Sequence, residues 1–127
     1  MTTLRLALTF AALASQYSPG TMEGVVQVRQ EQGLLPLNLP PHDGFVAVKD
    51  CSLIGSVVSI QYRDRVETFI VADCAREGDG TAEWMVSRRI AVEVDYPTAE
   101  RWGIVGELVP IVVENLHLGE RGSGEDF

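Results

Sequence analysis

The sequence predicts a mainly β domain of six short strands and two short helices, closed into a barrel. Three observations predict it. The chain has 127 residues, enough for one hydrophobic core and too few for two. Its apolar runs are short, rich in valine and isoleucine, and punctuated by Gly, Pro and Asp, which is the pattern of strands and turns. It also carries an internal repeat. Val46-Ala-Val48-Lys-Asp50 followed by Ile54-Gly55-Ser-Val-Val58-Ser-Ile60 is matched by Val92-Glu-Val94-Asp95 followed by Val105-Gly106-Glu-Leu-Val109-Pro-Ile111. Each unit runs strand, aspartate, connector, glycine, strand. A unit too small to bury its own apolar face packs against its twin about a pseudo-twofold axis, and a barrel closes that arrangement without free strand edges.

The first element admits two readings. Met1–Ala14 matches a secretory signal, with the basic Arg5, an apolar stretch Leu6–Ala14 and an Ala12-Leu13-Ala14 cleavage site before Ser15. Leu4, Leu6, Leu8 and Phe10 also alternate with Arg5, Ala7 and Thr9, the period of a half-buried strand, and the strand is the preferred reading. Tyr17-Ser-Pro-Gly20 is a turn. Thr21 then serves as N-cap of a helix through Met22, Val25, Val26 and Arg29, stopped by Gly33. Residues 34–43 hold three prolines, which remove ladder donors and fix φ, so this stretch is a rigid extended loop. Strands follow at Phe45–Val48, Ser56–Tyr62 and Val66–Ala72, the last two joined by the turn Arg63-Asp64-Arg65. Asp79-Gly80 opens a loop that runs to Arg89 and carries Trp84. Ile90–Val94 is a strand, Pro97–Trp102 a short helix ended by Gly103, and Leu108–Glu114 the last strand. The domain spans residues 1–118, with 1–14 as signal or first strand. Residues 119–127, with three glycines and three acids, read as a flexible acidic tail.

Composition narrows the function. Ten Lys and Arg against 18 Asp and Glu give a formal net charge of -8, which disfavours nucleic acid as partner because phosphate neutralisation needs clustered cations. No apolar run reaches the roughly 18–20 residues that span a bilayer. Cys51 and Cys74 each follow an aspartate. In an exported domain they pair as a disulfide, contributing roughly 3 kcal/mol in the chain-entropy model, and the alternative is two buried free thiols. With His42 and His117 they offer no Cys-x-x-Cys or His-x-x-x-His spacing, so no metal site is expected. No phosphate-binding glycine loop and no serine-nucleophile motif is present, and no cofactor is expected. Aromatic faces stack on sugars as readily as they fill cores. Trp102, in the short helix, reads as core, and Trp84 as a candidate groove wall.

Three blocks in order, Gly44–Val58, Phe69-Ile-Val-Ala-Asp73-Cys74 and Val92-Glu-Val-Asp95-Tyr-Pro-Thr-Ala-Glu-Arg-Trp-Gly103, resemble the double-psi β-barrel of barwin-like and expansin-like proteins. Ala14-Ser-Gln-Tyr17 with Pro19-Gly20 is similar to the opening of rare-lipoprotein-A-type domains. The resemblance covers about residues 12–114 and lies in the order and spacing of the blocks. It implies a secreted or envelope protein acting on polysaccharide, either by binding wall glycans or by cleaving them as an endoglucanase or lytic transglycosylase. By the same resemblance Asp73 is the general acid, Tyr17 a groove tyrosine, and Asp95 chiefly a helix cap. The histidine that rare-lipoprotein-A-type domains carry before the following strand has no counterpart; Asp50-Cys51 stands there. Asp50 is therefore a candidate second carboxylate as well as a turn residue, since hydrolysis normally uses two. His42, eight positions earlier in the proline-rich loop, is a further candidate at the groove.

The expectation is an exported barrel that binds, and in an active form remodels, polysaccharide or peptidoglycan around Asp73, Asp50 and Tyr17. A glycan-cleaving enzyme with Asp73 as acid is the first alternative. The second is a non-enzymatic structural protein of a cell surface or virus particle.

Overall fold

The computed structural model describes residues 8–75 and 80–115. The tail 119–127, the first residues of the N-terminal segment, Asp79 and His117 lie outside these. Six strands close into one mixed barrel in the order β1-β5-β2-β4-β3-β6. They are β1 (Leu8–Gln16), β2 (Gly44–Val48), β3 (Val57–Tyr62), β4 (Arg65–Cys74), β5 (Ile90–Val94) and β6 (Val109–Asn115). Around them lie α1 (Thr21–Glu31), α2 (Thr81–Ser87), α3 (Tyr96–Trp102) and a single 3-10 turn, Cys51–Leu53.

The repeat seen in the sequence is a symmetry of the ladder. Exchanging β1 with β4, β2 with β5 and β3 with β6 leaves every neighbour in the ring unchanged. Both parallel pairs, β1 with β5 and β2 with β4, map onto each other. So do their terminal hydrogen bonds: the Tyr17 N–H donates to the Val94 carbonyl at 2.8 Å, and the Ala75 N–H to the Val48 carbonyl at 2.9 Å.

Alternation fills the interior. Val46 and Val48, Val58 and Ile60, Phe69 and Val71, Val92 and Val94, and Ile111 and Val113 point inward and are almost wholly buried. Each such side chain contributes about 1.5–3 kcal/mol of burial. Trp102 closes one region of this core, its ring stacked on Tyr62 at 4.8 Å and edge-on to Phe69 at 5.9 Å. Gly44 has room for no side chain: a Cβ there would stand 2.5 Å from Thr98 Oγ1 and 2.8 Å from Asp95 Oδ1.

Three expectations are corrected. The barrel carries three short helices rather than two, because the 79–89 stretch expected as a loop contains α2. Gly80 turns the chain at φ 87°, and Ala82 and Met85, three positions apart, bury against Ile90 and Leu13. Thr21 is not the cap of α1 but its first residue, Gly20 capping it with φ 78°. The first strand is described over Leu8–Gln16, and Leu4 and Leu6 of the alternation lie outside the described residues. Leu8–Ala14, including the stretch read as a cleavage site, pairs residue for residue with β6, so cleavage after Ala14 would strip a strand from the closed barrel. Finally, β4 outruns Val66–Ala72 at both ends. The hairpin between β3 and β4 turns on Arg63 and Asp64, Arg63 lying at φ 55°. No helix among the described residues is long and apolar enough to cross a membrane.

Candidate functional site

The site is built on an irregularity of β4. Phe69 and Val71 face the barrel interior while Ile70 and Ala72 face α1. Strict alternation would send Asp73 inward after Val71. The pairing with β2 slips instead, Val46 opposite Val71 but Ala47 opposite Asp73, so Ala72 is an extra residue and Asp73 is turned outward. A bulge is a recurrent way to re-aim one side chain at a strand end.

Outside, α1 lies on β4 through Met22, Ile70 and Ala72, with Val25, Val26 and Tyr17 around them. Arg29, on the last turn of that face, reaches back to the strand. Its Nη2 donates to Asp73 Oδ1 at 2.8 Å and its Nε to the Ala72 carbonyl at 3.2 Å, with Nη1 on Gln32 Oε1 at 3.0 Å. The two ion-paired side chains are each 19% exposed. From the end of β1, the Tyr17 hydroxyl donates to Asp73 Oδ2 at 2.6 Å. Asp73 is thus a carboxylate with a donor on each oxygen. Burial, aided by that bond to Asp73, holds the Tyr17 phenol protonated well beyond the ordinary tyrosine range.

Two clefts open on Tyr17 and Asp73, and the larger also reaches Arg29. The larger, about 670 Å³, runs between α1 and the end of β4 and is walled by Thr21, Val25, Val28, Gln32, Cys74 and Thr81 among others. The smaller, about 360 Å³, passes Gln16, Ser18 and Asp73 to Glu93 on β5. Glu93 accepts from Ser15 Oγ at 3.2 Å. Burial pushes its carboxyl above the usual glutamate range, the Ser15 bond opposes this, and the negative charge of Asp73 adds to it.

Neither the family models nor the curated proteins searched contain a match to this sequence.

Of the residues singled out in the sequence, Tyr17 and Asp73 are brought into direct contact. Asp50 is not in the cleft wall. Its carboxylate caps the 3-10 turn, taking the Ser52 N–H and the Ser52 hydroxyl, each at 2.9 Å. Cys51 and Cys74 form a disulfide with Cα atoms 4.9 Å apart, which ties that turn to the residue after Asp73. His42 is exposed, with Nδ1 at 2.8 Å from the Pro40 carbonyl and its ring 4.7 Å from that of Phe45. Trp84 stands on α2, 38% exposed, beneath the Arg88 guanidinium. Asp95 is buried at the start of α3, where its carboxylate accepts from Thr98 Oγ1. Among the described residues no three His, Cys, Asp or Glu side chains group in a way that would hold a metal ion.

Two site residues escaped the sequence reading. Arg29 was legible only as a cation on the otherwise apolar stripe Met22, Val25, Val26, and Glu93 as an acid set between Val92 and Val94 within a strand.

Proposed function

We propose that this chain is an exported barrel of the double-psi superfamily, of barwin-like or expansin-like type, that binds cell-wall polysaccharide in the cleft between α1 and the end of β4. The Tyr17–Asp73–Arg29 constellation on an open cleft carries this reading. A sugar ring presents hydroxyls on its rim and C–H groups on its faces. The carboxylate, guanidinium and amide of Asp73, Arg29 and Gln32 suit the first, and Val25 and Val28 suit the second. The exchange symmetry of the ladder, with its two parallel pairs, supports the superfamily assignment. The disulfide supports an oxidising compartment, where such bonds persist.

The test is retention of purified protein on insoluble peptidoglycan, cellulose and chitin, with release of soluble fragments read in parallel. The wild type is retained on at least one of them, and Asp73→Asn, which loses the ion pair that fixes Arg29, is retained several-fold less. Absence of retention on all three overturns the reading.

A further inference from the structure

The geometry points to Glu93, and not Asp73, as the proton-donating carboxyl of a glycan-cleaving site in these clefts. This rests on the polysaccharide reading above and extends it from binding to chemistry.

Strand register places Glu93 and Asp73 in one row across four strands: Ser15 opposite Glu93, Glu93 opposite Ala47, Ala47 opposite Asp73. Adjacent strands stand about 4.8 Å apart, so the two acids start roughly 10 Å apart at the backbone. Between them lies only the methyl group of Ala47, and on the far side of Glu93 only a serine. Glu93 is half-buried among these small neighbours, and it lines the cleft that also reaches Asp73 and Tyr17.

The two carboxyls differ in what holds them. Asp73 takes a guanidinium on one oxygen and a phenol on the other, so both of its oxygens are already engaged. Glu93 takes one serine hydroxyl and, among the described residues, no ion pair. Among the described residues, the titratable groups that act on Glu93 or share its cleft are Asp73 and Tyr17. Asp73 on β4 is negative, Arg29 on α1 is committed to Asp73, Tyr17 after β1 is a neutral phenol, and β2 supplies Ala47. With burial, this setting keeps the proton on Glu93 to higher pH than an exposed glutamate would hold it. A general acid requires that state before it reacts.

One such carboxyl closes a cycle. Glu93 gives its proton to the glycosidic oxygen as the bond from that oxygen to the anomeric carbon breaks, the electron pair leaving with the oxygen as a hydroxyl. The electron-poor anomeric carbon then bonds a hydroxyl oxygen, from water or from the same sugar, and the proton of that hydroxyl returns to Glu93.

The experiment measures retention and fragment release on the three glycans for wild type, Glu93→Gln, Glu93→Asp and Asp73→Asn. The wild type releases fragments. Glu93→Gln is retained within about twofold of wild type while release falls at least about 100-fold. Glu93→Asp keeps part of the release, with the alkaline limb of its pH profile displaced, a change that loss of packing alone would not make. Release by Glu93→Gln within threefold of wild type overturns the assignment. Wild-type retention without fragments also overturns it and leaves the binding reading standing. No retention at all overturns both.

Discussion

Arg29 bonds both the carboxylate of Asp73 and the carbonyl of Ala72, the bulged residue that turns Asp73 outward. One guanidinium therefore ties helix α1 to the irregularity in β4 that creates the site. The pair is largely shielded from water, so removing the cation leaves a carboxylate with only the Tyr17 hydroxyl for company.

Arg29→Ala is expected to cost about 2 kcal/mol in urea denaturation, the range for breaking a partly buried charged pair. Arg29→Lys recovers less than half of this, because a single ammonium cannot serve Asp73 and the Ala72 carbonyl with the same fork. Full recovery by lysine would show that charge alone, without directed hydrogen bonds, holds the site.

Tyr17→Phe removes one hydrogen bond and is expected to cost about 1 kcal/mol at neutral pH. The folded phenol is held protonated above its unfolded range, so its contribution is complete at neutral pH and is lost as pH rises past about 10. Ultraviolet titration should show a tyrosine that ionises only with unfolding, and that phase should vanish in Tyr17→Phe.

Glu93→Gln tests the opposite carboxyl. A folded acid with a raised pKa favours its neutral form, so its contribution to stability is present at acid pH and lost as pH rises above the usual glutamate range of about 4.3. The amide does not titrate. Thermal unfolding should therefore find Glu93→Gln level with wild type near pH 4 and about 3 °C more stable at pH 7, a gain of about 1 kcal/mol. A variant less stable at both values would mean that the Ser15 bond requires a carboxylate.

Gly44→Ala should destabilise by about 2–3 kcal/mol through overpacking against Thr98, Asp95 and Phe69. The close neighbours belong to a buried hydrogen-bonded pair and an interior ring, so neither can withdraw into solvent. Adding Thr98→Ser should leave the contact in place, since the nearest atom to the new methyl is the hydroxyl oxygen that serine retains.

Much of the barrel was legible in the sequence. The alternation of Val46 and Val48, Val58 and Ile60, and Val92 and Val94 fixed which side chains face inward, because a strand has period two whatever it pairs with. The repeat of strand, aspartate, connector, glycine and strand anticipated the exchange symmetry of the ladder. Turn chemistry located the hairpin at Arg63 and Asp64, and α2 was missed because seven residues are too few for helical periodicity to stand out.

The site was legible in its individual residues, not in its assembly. Tyr17 and Asp73 could be singled out by type and by resemblance, and Cys51 with Cys74 by count. That Tyr17, Arg29 and Asp73 share one cleft, that Asp50 spends its carboxylate on its own turn, and that Glu93 stands in register with Asp73 were decided by the tertiary structure alone. The reason is physical. Local sequence sets the direction of a side chain by periodicity, but one unpaired residue, Ala72, reverses that direction for Asp73. Whether a strand bulges depends on its partner, and here the partner, β2, lies more than twenty positions away along the chain.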